Sequence, residues 1–289
     1  MTDTAGRLVD RWTQQWVRST GRRVDLRAEP WLDGPRGGRD QVGDSWLTRE
    51  AVRHDGRMLN GEHDAGLLRS VTSLDGPGFD SGELLPEVRN FYEHTARWRL
   101  ELWSQWSPLA WPFGWLISAL FARRLQQLSL PLRPLDVAHG MSSELTPVVG
   151  ADGRLIGTSW RRRLRANGAT VFSGWYQHVA LPGRRRPSVR VVFPLPNGRL
   201  VVLLRPEVTA GGGLTLISPA GRWGDDGAYL VVDRGDVSPI RARRIPVHER
   251  FHVFVDTEGI LRTDHTLTLW SLAVLRLHYR LDETKAGLT

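Results

Sequence analysis

LIGTSWRRRLRANGATVFSGWYQHV, residues 155–179, decides how the second half of this chain reads. Asn167-Gly168 sits near its centre, between two runs rich in β-branched and aromatic residues. Asn-Gly suits a two-residue type I′ turn, because both central residues need positive φ. With that loop, Trp160 faces Trp175, Leu164 faces Val171 and Ile156 faces Val179. All three pairs then share one face of a hairpin, whereas a one-residue slip would scatter them over both.

The same rhythm extends to either side. Ala151-Asp152-Gly153-Arg154 precedes the hairpin, and Pro196-Asn197-Gly198-Arg199 follows it. Around the second turn, Phe193 is expected opposite Val202, Val191 opposite Leu204 and Leu195 opposite Leu200. Val192, Val201 and Leu203 make the other face apolar as well, so this hairpin must be covered on both sides. Further strands read at 213–218, 228–233, 243–256 and 261–282, with Glu258-Gly259 as a turn between the last two. The pattern predicts about nine antiparallel strands in up-and-down order over residues 145–282, forming a curved sheet or a barrel.

Upstream, the period changes from two to between three and four. Residues 4–20 predict a helix with Leu8, Val9, Trp12 and Trp16 on one stripe and Gly21 as a stop. Residues 22–82 are rich in Gly, Arg and Asp, and are expected to be irregular and docked. A helix is expected over 86–106, where Val88, Phe91, Thr95, Trp98, Leu102 and Trp106 share a face. Next comes WSPLAWPFGWLISALFARRL, residues 106–125. A spanning helix needs about 20 mostly apolar residues. Pro108, Pro112 and Gly114 break the run, leaving about 10 clean positions in a helix from Pro112 to about Leu128. The favoured reading packs that helix on the sheet or plugs a barrel with it. A second lays it in a membrane interface, with Trp103, Trp106, Trp111 and Trp115 at headgroup depth. A membrane crossing ranks last. The fold class is α+β, with N-terminal helices packed on a β-meander. Residues 1–82 form a docked N-terminal part, 83–130 a Trp-rich helical region and 131–284 the β-domain, with 83–284 as one folding unit.

Composition sets outer limits. The chain has 289 residues, thirteen Trp against four Tyr, and a net charge of +8. Lys285 is the single lysine, so the basic residues are almost all Arg, a bias typical of high-GC bacterial coding. The charge favours anionic partners. No cysteine is present, which excludes disulfides, thiol nucleophiles and thiolate metal sites. The N-terminus lacks the apolar run of a signal peptide, so a cytoplasmic location is expected, with association at the inner face of the membrane as a variant.

Few motifs carry chemistry. His248 and His252 lie on one strand face roughly 13 Å apart, too far to share a metal, and no metal site is expected. Gly221 to Gly227 spaces glycines regularly but lacks the helix of a phosphate loop. No Gly-x-Ser-x-Gly elbow occurs. Glu249 shares a strand face with Val247, Phe251 and Val253, and a carboxylate there needs a partner. His265 lies in a similar row on the neighbouring strand. The expected register leaves the two short of contact unless a bulge intervenes, and Arg162 is the alternative partner for Glu249. Arg190 and Arg205 are expected opposite one another in the third hairpin, where an anion would relieve them. Arg184-Arg185-Arg186 is read as a projecting basic loop that can meet anionic lipid.

These readings converge on a non-enzymatic protein. It would hold a hydrophobic, anionic, lipid-like ligand in a β-rich cavity under Trp-rich helices, without a cofactor. The ligand-facing candidates are Trp160, Trp175, Arg162, Trp111, Trp115, Arg190 and Arg205. Two alternatives are weighed beside it. One is an enzyme acting on a hydrophobic substrate with Glu249 and His265 as acid–base residues. The other is a peripheral membrane or interaction protein using Trp103–Ala122. Nucleic acid ranks below these, because no recognition motif accompanies the basic residues.

Overall fold

A computed structural model describes residues 3–37, 45–107, 140–165, 168, 170–235 and 239–284, with only the backbone for residues 3–10. Trp111, Trp115 and the helix expected from Pro112 lie outside the described residues, as does Asn167 of the quoted turn. The elements run in the order α1 (Asp3–Thr20), β1 (Arg22–Arg23), α2 (Ser45–Arg53), β2 (Arg57–Met58), α3 (Pro86–Glu93) and β3 (Trp98–Trp106). They continue with β4 (Met141–Val149), β5 (Leu155–Leu164), β6 (Thr170–Ala180), β7 (Pro187–Leu195), β8 (Gly198–Thr209) and β9 (Gly213–Ile217). The last are β10 (Gly227–Val232), β11 (Arg241–Ile245), β12 (Val247–Val255), β13 (Leu261–Leu269) and β14 (Leu272–Glu283).

All 14 described strands join one open antiparallel sheet. Two stretches are simple meanders, β4 to β9 and β12 to β14. Between them the sheet forks at β8. Gly198–Leu203 of β8 pair with β10, while Arg205–Thr209 pair with β9. The α+β class and the meander therefore hold, but the sheet is not a closed barrel and the strand number exceeds nine. Three physical causes account for the surplus. Pro246 lacks an N–H and divides the run expected at 243–256 into β11 and β12. Trp270 takes a φ of 53° and turns the run expected at 261–282 into a hairpin without any Gly or Asn. Finally, β1, β2 and β3 lie where no strand is expected.

β3 corrects the helix expected over 86–106. That helix stops at Glu93, whose carboxylate accepts from Ser70 Oγ at 2.9 Å and from the Val71 backbone N–H at 2.7 Å. Beyond it, Trp98, Leu100 and Leu102 also fit a period of two, and all three are buried. Nine residue pairs between β3 and β14, from Trp106↔Leu275 to Trp98↔Glu283, decide for strand.

Both expected hairpin registers shift, with different consequences. In the middle hairpin a bulge lies between Arg162 and Arg163, so Ser159 pairs with Trp175 and Trp160 with Gly174. This odd shift sends Trp175 to the face opposite Trp160. In the next hairpin Phe193 pairs with Leu200 and Val191 with Val202, two residues from the expected register. An even shift leaves every side chain on its face. Both apolar faces of that hairpin are buried as expected.

The sheet curls back on itself. Leu102 of β3 and Leu275 and Leu277 of β14 pack with Met141 of β4, Leu164 of β5 and Val171 of β6. Strands far apart in the sheet thus meet across an interior, while α3 with its flanking segment packs into the larger neighbouring core through Leu84, Val88 and Phe91, and Tyr279 touches both cores. The outer face is covered by the N-terminal part: Trp46 packs edge-on to Trp175 at 6.2 Å, and Trp31 edge-on to Tyr229 at 4.9 Å. Gly157 makes room for this layer, because a Cβ there would meet the Trp175 ring at 2.5 Å.

Candidate functional site

Strand pleating places the interior polar groups. Glu249 pairs with Leu267 and Phe251 with His265, so Glu249 and His265 are diagonal neighbours on the inward face. Their side chains touch: Oε2 of Glu249 lies 3.1 Å from Nε2 of His265. The expected separation is therefore corrected. The β12–β13 turn occupies Asp256 to Ile260, where Asp256 Oδ1 accepts from the backbone N–H groups of Glu258 and Ile260, and this sets the register. Phe251 stacks on the His265 ring at 3.8 Å with an 18° tilt, which fixes the imidazole plane.

Arg162 approaches the same interior from β5. It is only 5% exposed, and its Nε and Nη2 have no hydrogen-bond partner among the described residues. Its guanidinium lies 5.5 Å from the Trp160 ring centroid and 5.2 Å from that of Tyr279 on β14. Aromatic faces attract a cation but do not accept its N–H groups in directed bonds. Trp160 is held in place by donating from Nε1 to Ser143 Oγ at 2.6 Å. Tyr176 of β6 completes the wall, 5.8 Å from Trp160.

The electrostatics follow from burial. The Tyr279 hydroxyl is held above its usual pKa by desolvation, against the pull of the neighbouring Arg162. Tyr176 is raised well above the usual value, first by desolvation and then by Tyr92, Glu249 and Tyr279. Both phenols stay protonated at neutral pH and can donate to an anion. The interior therefore combines an underused guanidinium, two phenol donors and a carboxylate–imidazole pair within an apolar shell. Guanidinium and phenol groups are donors to anions, and a carboxylate–imidazole pair is a proton-exchanging one.

Other expected site residues lie elsewhere. Trp175 is on the outer face under Trp46. Arg190 does not oppose Arg205; it pairs with Leu203 across the sheet. Its Nη1 donates to Pro30 O at 2.7 Å and its Nη2 to Gln177 Oε1, so it fastens the N-terminal layer. Arg205 pairs with Glu207 at 2.8 Å. Arg184 is held by Asp225 and Asp226, and Arg186 donates to Gly78 O, so neither is a free basic projection. Trp103 lies on β3 and is 51% exposed. Among the described residues no three His, Asp or Glu side chains converge as a metal site. A cleft of about 160 Å³ between α2 and the sheet, lined by Trp46, Met58, Glu144 and Arg161 among others, is smaller than a typical ligand site.

Neither Tyr176 nor Tyr279 is among the residues expected at the site. The expected register puts Tyr176 on the face opposite Trp160, and Tyr279 lies in a run expected to be one strand without a defined neighbour. The available signal was the rarity of Tyr in this chain against thirteen Trp. Comparison with models of known protein families, with curated proteins and with solved structures finds no match.

Proposed function

We propose that this protein binds an amphiphile with an anionic head and an apolar tail inside the curled sheet, the head resting on Arg162. The observation that carries the reading is the pair of buried guanidinium nitrogens without a partner among the described residues. A buried charge left unpaired costs several kcal/mol, on the order of 3–5 kcal/mol where a pair has been broken. A carboxylate or phosphate at Arg162 would remove that cost, with Tyr279 as a further donor. The apolar residues around it, among them Leu164, Leu275 and Leu277, suit an aliphatic tail.

The test is native mass spectrometry of protein purified gently from its own host. The expected result is a mass excess that disappears on denaturation and is absent from Arg162→Met. An apo mass, together with no uptake of added fatty acid or lysophospholipid, would refute the reading.

The contact between Glu249 and His265 favours a second reading. In it the same interior hosts proton transfer on a hydrophobic substrate, with His265 oriented by Glu249. Any turnover found should then fall by about 10²-fold or more in Glu249→Gln. Unchanged turnover in that variant would remove the dyad from consideration.

A further inference from the structure

Helix α1 docks on the outer part of the sheet through Gln14, Val17 and Gly21, all buried. Gln14 donates to Pro196 O at 3.2 Å, and a Cβ on Gly21 would meet the Ala242 carbonyl oxygen at 2.9 Å. This seat leaves the opposite side of the helix to solvent. Trp12 is 74% exposed and Trp16 41% exposed, one turn apart on one ridge. Spacing alone would place that pair in the core, yet it points outward. Two indoles exposed in succession are costly on a free surface and typical of an interface.

The charge around the ridge is mostly positive, with Asp10 and Asp25 flanking it in sequence. Between Arg11 and Val24 the chain carries four arginines and no acidic residue. Arg11, Arg18, Arg22 and Arg23 are all exposed. Arg243 of β11 adds a fifth cation, its guanidinium 4.6 Å from the Trp16 ring centroid. It also donates to the Thr20 carbonyl at 3.1 Å, at the C-terminal end of the helix.

We propose that this ridge is a docking surface for anionic membranes, with Trp12 and Trp16 at headgroup depth and the arginines on lipid phosphates. Interfacial helices combine an apolar or aromatic edge with flanking Arg or Lys. Single-stranded nucleic acid also stacks on aromatics, but it is gripped in grooves. A helix lying on a sheet offers a convex ridge, which suits a bilayer surface.

The test is co-sedimentation of the full chain with vesicles of phosphatidylcholine alone and with about a quarter phosphatidylglycerol. The expected result is binding to the anionic vesicles only, weakening as salt rises to about 0.5 M. The double variant Trp12→Ala/Trp16→Ala should bind at least about tenfold more weakly. Arg11→Gln/Arg18→Gln should lose about fivefold or more. All these positions are exposed, so circular dichroism and the thermal midpoint should match the parent. Three results would overturn the proposal: no vesicle binding at low salt, binding that neither double variant weakens, or a single-stranded oligonucleotide that displaces the vesicles through α1. Binding retained by both variants but lost in Trp270→Ala would move the surface to the β13–β14 tip, where Trp270 is also exposed.

Discussion

Arg162 carries the tension of the interior. Burial strips water from its guanidinium, and two aromatic faces with a hydrogen bond to the Tyr279 hydroxyl replace only part of what is lost. Arg162→Met keeps a long flexible apolar chain in the same space. It gives up two cation–π contacts worth about 0.5–2 kcal/mol each, and it removes a desolvation cost of several kcal/mol. The ligand-free variant should therefore be more stable by about 1 kcal/mol or more, read as a higher urea midpoint at unchanged slope. The same change should abolish ligand capture. A stability gain together with a binding loss marks a residue kept for function. A stability loss of more than about 2 kcal/mol would instead make Arg162 part of the structural core. Glu249 should respond in the opposite way. Glu249→Ala strands His265 and should cost about 1–3 kcal/mol, whereas Glu249→Gln keeps an acceptor and should cost less.

The N-terminal layer and the hairpins make separate predictions at the scale of elements. Arg199 on β8 is 2% exposed and reaches Asp33 at 3.1 Å, together with Asp233 of the β10 end. Arg53 of α2 closes on Asp33 from the other side. Burial tends to raise the Asp33 pKa, but the Arg53 hydrogen bond and the Arg53 and Arg199 charges outweigh it, so the carboxyl lies below its usual value of 3.8. A depressed carboxyl contributes stability above the unfolded value and loses it as pH falls through the folded one. Amides of residues 22–37 should thus lose hydrogen-exchange protection below about pH 4, before the interior strands do. Arg199→Ala should loosen the same segment at neutral pH and cost about 1–3 kcal/mol, because Asp33 and Asp233 each lose a charged hydrogen bond while keeping Arg53 and Arg36 as partners. The β13–β14 tip predicts the reverse sign. Trp270 is exposed and held at a φ of 53°, so Trp270→Gly should stabilise by about 0.5–1 kcal/mol in a denaturant titration.

These elements also show how far the sequence could be read. Turn residues announced the β7–β8 hairpin, and its both-faces burial survived a two-residue error in register because the side-chain period is two. The bulge at Arg162 has no signature of its own, so the middle hairpin came out one residue wrong and Trp175 was assigned to the wrong face. The Trp270 turn was invisible because an L-residue occupies a left-handed position usually given to Gly or Asn. β3 was hidden for a different reason. Its spacing suits either period, and only pairing with β14, far along the chain, decides between them.

For the whole molecule, the decisive feature is that one sheet doubles back until β5 faces β14. That closure was not legible locally, since it depends on the fork at β8 and on β3 joining the far edge. It brings together Arg162, Glu249, His265 and Tyr279 from four strands, and it buries phenols deeply. All four tyrosines of the chain, Tyr92, Tyr176, Tyr229 and Tyr279, have pKa values raised above 10.0, with desolvation the leading cause in each. A phenol whose folded pKa exceeds its unfolded one contributes stability that is intact below the unfolded value and is lost as pH rises above it. Each such group withdraws about 1.4 kcal/mol per pH unit above pH 10. Taking only Tyr92, Tyr176 and Tyr279, the fold should lose about 4 kcal/mol per unit there, against a typical total of about 5–15 kcal/mol. Phenolate absorbance should therefore stay flat through pH 10 and then rise in one steep step, together with the loss of far-UV circular dichroism. Tyr279→Phe should shift that step upward in pH by removing one of the titrating groups. Independent titration of the tyrosines near pH 10 in a folded chain would mean that water reaches Tyr176 and Tyr279, and Arg162 beside them would then not carry the desolvation cost on which the proposed ligand binding rests.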